Sequence, residues 1–181
     1  MKIKRKKKVH IRMFIILLII LGITIPILYV VYINFFTTLP SRNYPIYTPN
    51  LEGYTKVSID AQVINNYGIV QLTGNCYRII AYTEPWQAQS IENGLKGKVN
   101  VRPNCHDMTK EILDLFGIKV IALKINEVRN NTYIGELLLQ QGNKVLSLDV
   151  RPSDGTALAL RENAPIYIKN ELLEKYGKKI C

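Results

Sequence analysis

Residues 13–33, MFIILLIILGITIPILYVVYI, form a run of 21 residues without a charge. At ~1.5 Å per residue such a helix is about 31 Å long, close to the hydrocarbon thickness of a bilayer. Pro26 inside the run is better tolerated in a membrane helix than in a soluble one. Tyr29 and Tyr32 lie near its far end, where interfacial aromatics gather. A cleaved signal peptide would carry a shorter apolar region and a small-x-small cleavage site, and no such site follows. The run is therefore expected to be an uncleaved transmembrane anchor.

Charge sets the expected orientation. Lys2, Lys4, Arg5, Lys6, Lys7, Lys8 and Arg12 make residues 1–12 a basic arm, whereas only Arg42 closely follows the run. The positive-inside rule keeps that arm in the cytoplasm and places the remainder outside, as in a single-pass membrane protein with an extracellular domain. The net charge of +10 is mostly this arm, because 16 basic and 14 acidic residues from Leu51 onward leave the rest near +2. The high pI thus reports membrane topology and is no argument for nucleic-acid binding.

Residues 37–53 contain Pro40, Pro45 and Pro49, which discourage helix and central strand alike, so an extended stalk is expected there. A globular domain should occupy residues 54–176. TKVSIDAQVI and GIVQL, separated by NNYG, predict a hairpin, and YRIIAY adds a third strand. EPWQAQSIENGL has helical spacing, with Pro85 suited to a first turn. NCHDMTKEILDLFG is the clearest helix: Asn104 can cap it, Gly117 can end it, and Met108, Ile112, Leu115 and Phe116 make one apolar face. Three further strands form a meander, followed by a helix opened by Pro152, a short strand PIYI and a last helix from Asn170. Hairpin-linked strands with interposed helices predict an α+β fold around a largely antiparallel mixed sheet, preceded by one transmembrane helix.

DVRPSDGTALALR, from Asp149, packs two carboxylates, an arginine, a serine and a proline into its first six positions. Its bland reading is a solvated strand face followed by a helix start. Period 2 puts Ser147, Asp149 and Arg151 on one side, and Pro152 with Asp154 is a good N-terminal signature. Capping explains Ser153 or Asp154, but not Asp149, Arg151 and Arg161 together. Asp107 likewise lies three residues after Asn104, where a reciprocal cap would place it. His106 alone reads as a half-exposed helix-start histidine. A second reading stays open beside these: if His106 meets Asp149 and Asp154, the three could hold a divalent metal such as Mg and activate water for phosphodiester attack. Arg151, Ser153 or Arg161 could then hold a phosphate, helped by the helix N-terminus.

Other chemistries fit less well. Cys76, Cys105 and Cys181 show no zinc-ligand spacing. Outside the cytoplasm they allow one disulfide and a leftover thiol, and a Cys76–Cys105 bond is one option. Cys105 beside His106 is not expected to act as nucleophile and base, since successive helix residues diverge. Asn130-Asn131-Thr132 matches a glycosylation acceptor in a hairpin turn.

RPNCHDM, a helix, three strands, DVRPSDGTALALR and PIYI together resemble the bifunctional nuclease (BFN) domain family. His106 and Asp107 match its His-Asp helix start. Asp149, Arg151, Pro152, Ser153, Asp154, Ala157, Ala159 and Arg161 match or keep register with its Asp-x-Arg-Pro-Ser-Asp motif. The chain departs from the pattern at Gln87, where a glutamate is usual, at Gly155-Thr156 in place of Ala-Ile, and at Cys105 in place of threonine. The resemblance implies a nuclease acting on DNA and/or RNA. It implies catalytic roles for His106, Asp107, Asp149 and Asp154, and phosphate binding by Arg151, Ser153 and Arg161. The membrane, nucleic acid and a second copy of the chain are the expected partners. The competing class is a non-enzymatic binding or oligomerisation module in which the arginine–carboxylate cluster is structural.

Overall fold

The computed structural model describes residues 2–37 and 44–181, except for the side chains of 2–12, 14–16 and 34–37. The chain divides into two compact units, Met1–Arg42 and Asn43–Cys181. The first contains one helix, α1 (Lys2–Thr37), with Pro26 inside it. Its side chains from Leu17 to Ile33 are exposed. Among the described residues no helix is long and apolar enough to cross a membrane. The expected anchor over 13–33 runs across residues 14–16, whose side chains lie outside the described ones, as do those of the basic arm.

The second unit is α+β, but its strands form two sheets where one was expected. β1 (Tyr54–Lys56), β5 (Lys119–Arg129), β6 (Thr132–Gln141), β7 (Lys144–Val150) and β8 (Ile166–Lys169) make a five-stranded sheet in the order β1-β8-β5-β6-β7. β2 (Ser58–Ile64), β3 (Tyr67–Gly74), β4 (Tyr77–Thr83) and β9 (Lys178–Lys179) make the other, in that order. Among the described residues only β5 and β8 pair in parallel, and the other pairings are antiparallel. The hairpins follow from asparagine. Asn65 and Asn66 close β2–β3, and Asn130 and Asn131 close β5–β6, all four at positive φ. Two-residue turns of this kind match the twist of the strands they join.

Four helices complete the unit: α2 (Pro85–Leu95), α3 (Cys105–Leu115), α4 (Pro152–Arg161) and α5 (Asn170–Tyr176). α2 packs on α4 and on β2 and β3, while α4 also covers β5 and β6. The inner faces of both sheets share one core, with Leu72 and Ile79 from one, Leu123, Ile125 and Ile168 from the other, and Ile91 of α2. The α2–α4 contact is close because Gly94 has no side chain. A Cβ there would sit 3.1 Å from Arg161 Nη1 and 3.2 Å from the Ala157 carbonyl oxygen.

Three features of this arrangement were not legible from periodicity and spacing. The apolar face of α3 does not enter the core: Leu115 is 77% and Phe116 66% exposed, with Met108 and Ile112 also exposed. α3 instead buries His106, Asp107 and Leu113, because its polar side meets α4. The disulfide joins Cys76 to Cys181 and leaves Cys105 free and exposed. The ordered domain therefore continues beyond Tyr176, since β9 pairs with β4 and the Ile180 amide donates to the Cys76 carbonyl at 2.9 Å. At the other end, residues 44–50 have no regular structure but are tied to the domain. The Tyr47 amide donates to Gln140 Oε1, and Gln140 Nε2 donates to the Pro45 carbonyl, both at 2.8 Å. Residues 38–43 of the expected stalk lie outside the described residues.

Candidate functional site

The start of α3 is built by Asn104. Its Oδ1 accepts from the amides of His106 at 2.9 Å and Asp107 at 3.0 Å, and its own amide donates to Asp107 Oδ2 at 2.9 Å. This is the reciprocal cap anticipated from spacing. It turns His106 and Asp107 inward towards α2 and α4.

Arg161, in the last turn of α4, meets them there. Nε donates to Asp107 Oδ1 at 2.7 Å, and Nη1 donates to the carbonyls of Ser90 at 2.9 Å and Ala157 at 2.8 Å. Nη2 donates to Ser90 Oγ at 3.3 Å. The two charged side chains are only 5% and 6% exposed. Burial alone would raise the Asp107 pKa, but the Arg161 hydrogen bond, the Asn104 amide and the guanidinium charge outweigh it and hold the carboxyl below its usual range. Every nitrogen of Arg161 is thus engaged inside the fold, and its side chain also lines a second cleft together with Asp107, Lys98 and Lys110.

Ser90 of α2 connects this pair to the histidine. Its Oγ accepts from Arg161 Nη2 and from Asn104 Nδ2 at 3.1 Å. With two donors on its lone pairs, the hydroxyl gives its own proton to His106 Nδ1, 2.9 Å away. The imidazole N–H is then Nε2, which lies 3.4 Å from Asp154 Oδ1. Burial lowers the His106 pKa, with Arg161 acting in the same direction and Asp154 and Asp107 opposing. The ring is therefore neutral at pH 7. Cys105 Sγ also comes within 3.7 Å of Nδ1, closer than the divergence of neighbouring helix residues suggested.

Asp154 is the outward end of the relay, with its side chain 38% exposed. It sits in the first turn of α4, where Arg151 is the N-cap and Pro152 opens the helix. Arg151 is exposed and makes no ion pair among the described residues; Ser153 is half-buried. Asp149 lies elsewhere. On exposed β7 it pairs across from Glu136. The Glu136 carboxylate accepts from Ser147 Oγ at 2.7 Å and Asn126 Nδ2 at 3.1 Å and lies 3.5 Å from Lys124 Nζ, which together lower its pKa against the effect of burial.

The structure thus gathers His106, Asp107, Asp154 and Arg161, leaves Arg151 and Ser153 at the α4 entrance, and separates Asp149. Among the described residues no three His, Cys, Asp or Glu side chains are grouped to hold a metal ion. The set Asp149, Asp154 and His106 does not fit one. Ser90, which holds the network together, gave no signal in the sequence: one serine in a helix belongs to no motif, and its role depends on α2 crossing α4.

Comparison with known proteins gives the same region its family. Residues 77–180 match the bifunctional nuclease domain. An uncharacterised protein of Mycobacterium tuberculosis is 29% identical over 91 residues, covering 50% of this chain and 54% of that protein. Bifunctional nuclease 1 of Oryza sativa subsp. indica is 30% identical over 82 residues, and bifunctional nuclease 1 of Arabidopsis thaliana 29% over 82 residues. Each plant match covers 44% of this chain and 25% of the plant protein. The chain therefore spans about half of the mycobacterial relative and a quarter of the plant ones. With more than half of its length matched by the domain, the chain belongs to the bifunctional nuclease domain family.

Proposed function

We propose that the chain is a nuclease hydrolysing phosphodiester bonds of DNA and/or RNA. The observation that carries this reading is the Asp154 carboxylate, solvent-facing and backed by the neutral His106 imidazole, three residues from the exposed Arg151 guanidinium. In this reading Arg151 and Ser153, with the positive end of α4, hold the phosphodiester. Asp154 takes a proton from the attacking water. The new P–O bond forms as the scissile one breaks, and the leaving oxygen takes its proton from solvent. His106 keeps Asp154 oriented through Nε2. Asp107, Arg161 and Ser90 position His106 and do not touch substrate.

The membrane tether belongs to the same proposal. α1 anchors the chain, with residues 1–12 in the cytoplasm and the domain on the outer face. The basic arm supports this orientation, and so does the Cys76–Cys181 bond, since disulfides persist in oxidising compartments.

The test is cleavage of labelled single-stranded DNA and RNA by the full-length chain in mild detergent, with magnesium and with chelator. Cleavage that Asp154→Asn abolishes supports the reading. Wild-type cleavage unchanged in Asp154→Asn removes the catalytic assignment. No cleavage of either polymer under any condition favours the binding-module alternative, which the closed Asp107–Arg161–Ser90 network would also serve.

A further inference from the structure

A cleft of about 320 Å³ opens between the two sheets beside the α4 entrance. The buried Val70, Leu72, Ile79 and Ile125 line it together with Tyr133, the half-buried Ser153 and the exposed Arg151. Its size is that of a small-molecule site. Two polar groups interrupt the apolar lining. Gln87 is 7% and Thr156 3% exposed, and both face the cleft.

Neither is fully satisfied by protein. Gln87 Oε1 accepts from Thr83 Oγ1 and from the Glu84 amide. A backbone N–H can only donate, so the atom it meets must be the oxygen, and Nε2 is left for the cleft. Among the described residues Nε2 and Thr156 Oγ1 have no hydrogen-bond partner, and the one fully buried side-chain atom without a hydrogen bond is Glu162 Oε1, which is ion-paired with Lys110. Both groups therefore open onto the cavity. Unpaired donors inside an apolar site are costly unless a ligand meets them.

The geometry points to a nucleotide as that ligand. We propose that the cleft seats one nucleobase, with Gln87 Nε2 and Thr156 Oγ1 on its polar edge, Tyr133 against its face and Arg151 on its phosphate. A flat heterocycle supplies apolar faces for such walls and acceptors for an amide N–H. The Tyr133 ring is held by an edge contact to Tyr176, with centroids 6.0 Å apart. A base can enter only when unstacked, so the substrate class is single-stranded nucleic acid. The choice of ligand rests on the nuclease reading above.

The test is calorimetric titration of the full-length chain, in mild detergent with chelator, with adenosine and uridine 5′-monophosphates and with the two nucleosides. Gln87→Glu keeps both accepted hydrogen bonds and loses the donor; Thr156→Val keeps shape and loses the hydroxyl. Each should weaken nucleoside binding about fivefold to tenfold, with melting temperature retained. Arg151→Gln should weaken the monophosphates about tenfold or more and leave the nucleosides unchanged. Wild type that binds neither monophosphate at millimolar concentration overturns the proposal, as does unchanged nucleoside affinity in both Gln87→Glu and Thr156→Val. Strand cleavage without mononucleotide binding removes the pocket and leaves the nuclease; binding without cleavage does the reverse.

Discussion

His106 Nε2 lies 3.4 Å from Asp154 Oδ1, while the other ring nitrogen receives the Ser90 hydroxyl proton at 2.9 Å. The imidazole is therefore the middle of a relay and does not itself meet solvent chemistry. Its carboxylate partner faces outward.

The histidine makes stability depend on pH. The unfolded chain protonates this ring near pH ~6.5, whereas burial holds the folded imidazole below that value. Below about pH 6.5 the unfolded state binds more protons, so stability is full above that pH and falls as pH drops toward the folded value. Urea unfolding midpoints should fall between pH 7.5 and 5.5, and His106→Gln should flatten that slope. An unchanged slope in the variant would place the titrating group elsewhere.

Arg161 and Asp107 separate structure from catalysis. Removing the guanidinium with Arg161→Met strands a carboxylate that is 6% exposed. Breaking a buried pair from one side costs about 3–5 kcal/mol. Chemical denaturation should show that loss. Full stability with lost nucleic-acid binding would instead mean that Arg161 reaches substrate.

The two aspartates of DVRPSD should behave differently. Asp154→Asn should lower cleavage by ~10²–10⁴-fold with little change in folding, as expected for a general base. Asp149→Asn, across from Glu136 on β7, should cleave like wild type. It should also be neutral or slightly stabilising, because it relieves a like-charge cross-strand pair. Equal loss in both variants would contradict the separation of these carboxylates.

Cys105 reports the orientation of the domain. It is exposed and is the free cysteine beside the Cys76–Cys181 bond. A membrane-impermeant maleimide should label it on intact cells expressing the chain, and Cys105→Ser should not be labelled. Labelling only after lysis would reverse the proposed topology.

Reduction tests the link between the ends of the second sheet. Cys181→Ser, or a reductant, frees the segment carrying β9 from the β3–β4 turn. Opening a loop with a sequence separation of 105 should cost about 2–5 kcal/mol. A melting temperature unchanged by reductant would show that the bond adds nothing to the fold.

Local chemistry was legible in the sequence where a few neighbouring residues decide it. The asparagine turns, the Asn104 cap with Asp107, and Pro152 opening α4 all act within four positions of chain. The α3 face was misleading for the opposite reason. Periodicity shows that Met108, Ile112, Leu115 and Phe116 share a side, but burial depends on what packs there, and α4 took the other side. The site divides in the same way. Asp154 and His106 stood out as residue types, whereas Ser90 matters only through contacts with residues distant in sequence, from Asn104 and His106 to Arg161 across 71 positions. Gln87 and Thr156 were visible only as departures from a family pattern. Their place on the cleft wall explains why departures there would change what is bound.

The order of the cysteines along the chain has a consequence for assembly. Synthesis delivers Cys76 first, Cys105 next and Cys181 last, so the nearer thiol arrives before the native partner does. A chain oxidised as it emerges can close the Cys76–Cys105 loop early, and that bond must exchange before β9 can dock on β4. The exposed position of Cys105 leaves it open to such exchange. Yield of the native protein should then depend on a disulfide isomerase, and replacing Cys105 with serine should remove that dependence by leaving Cys76 a single partner.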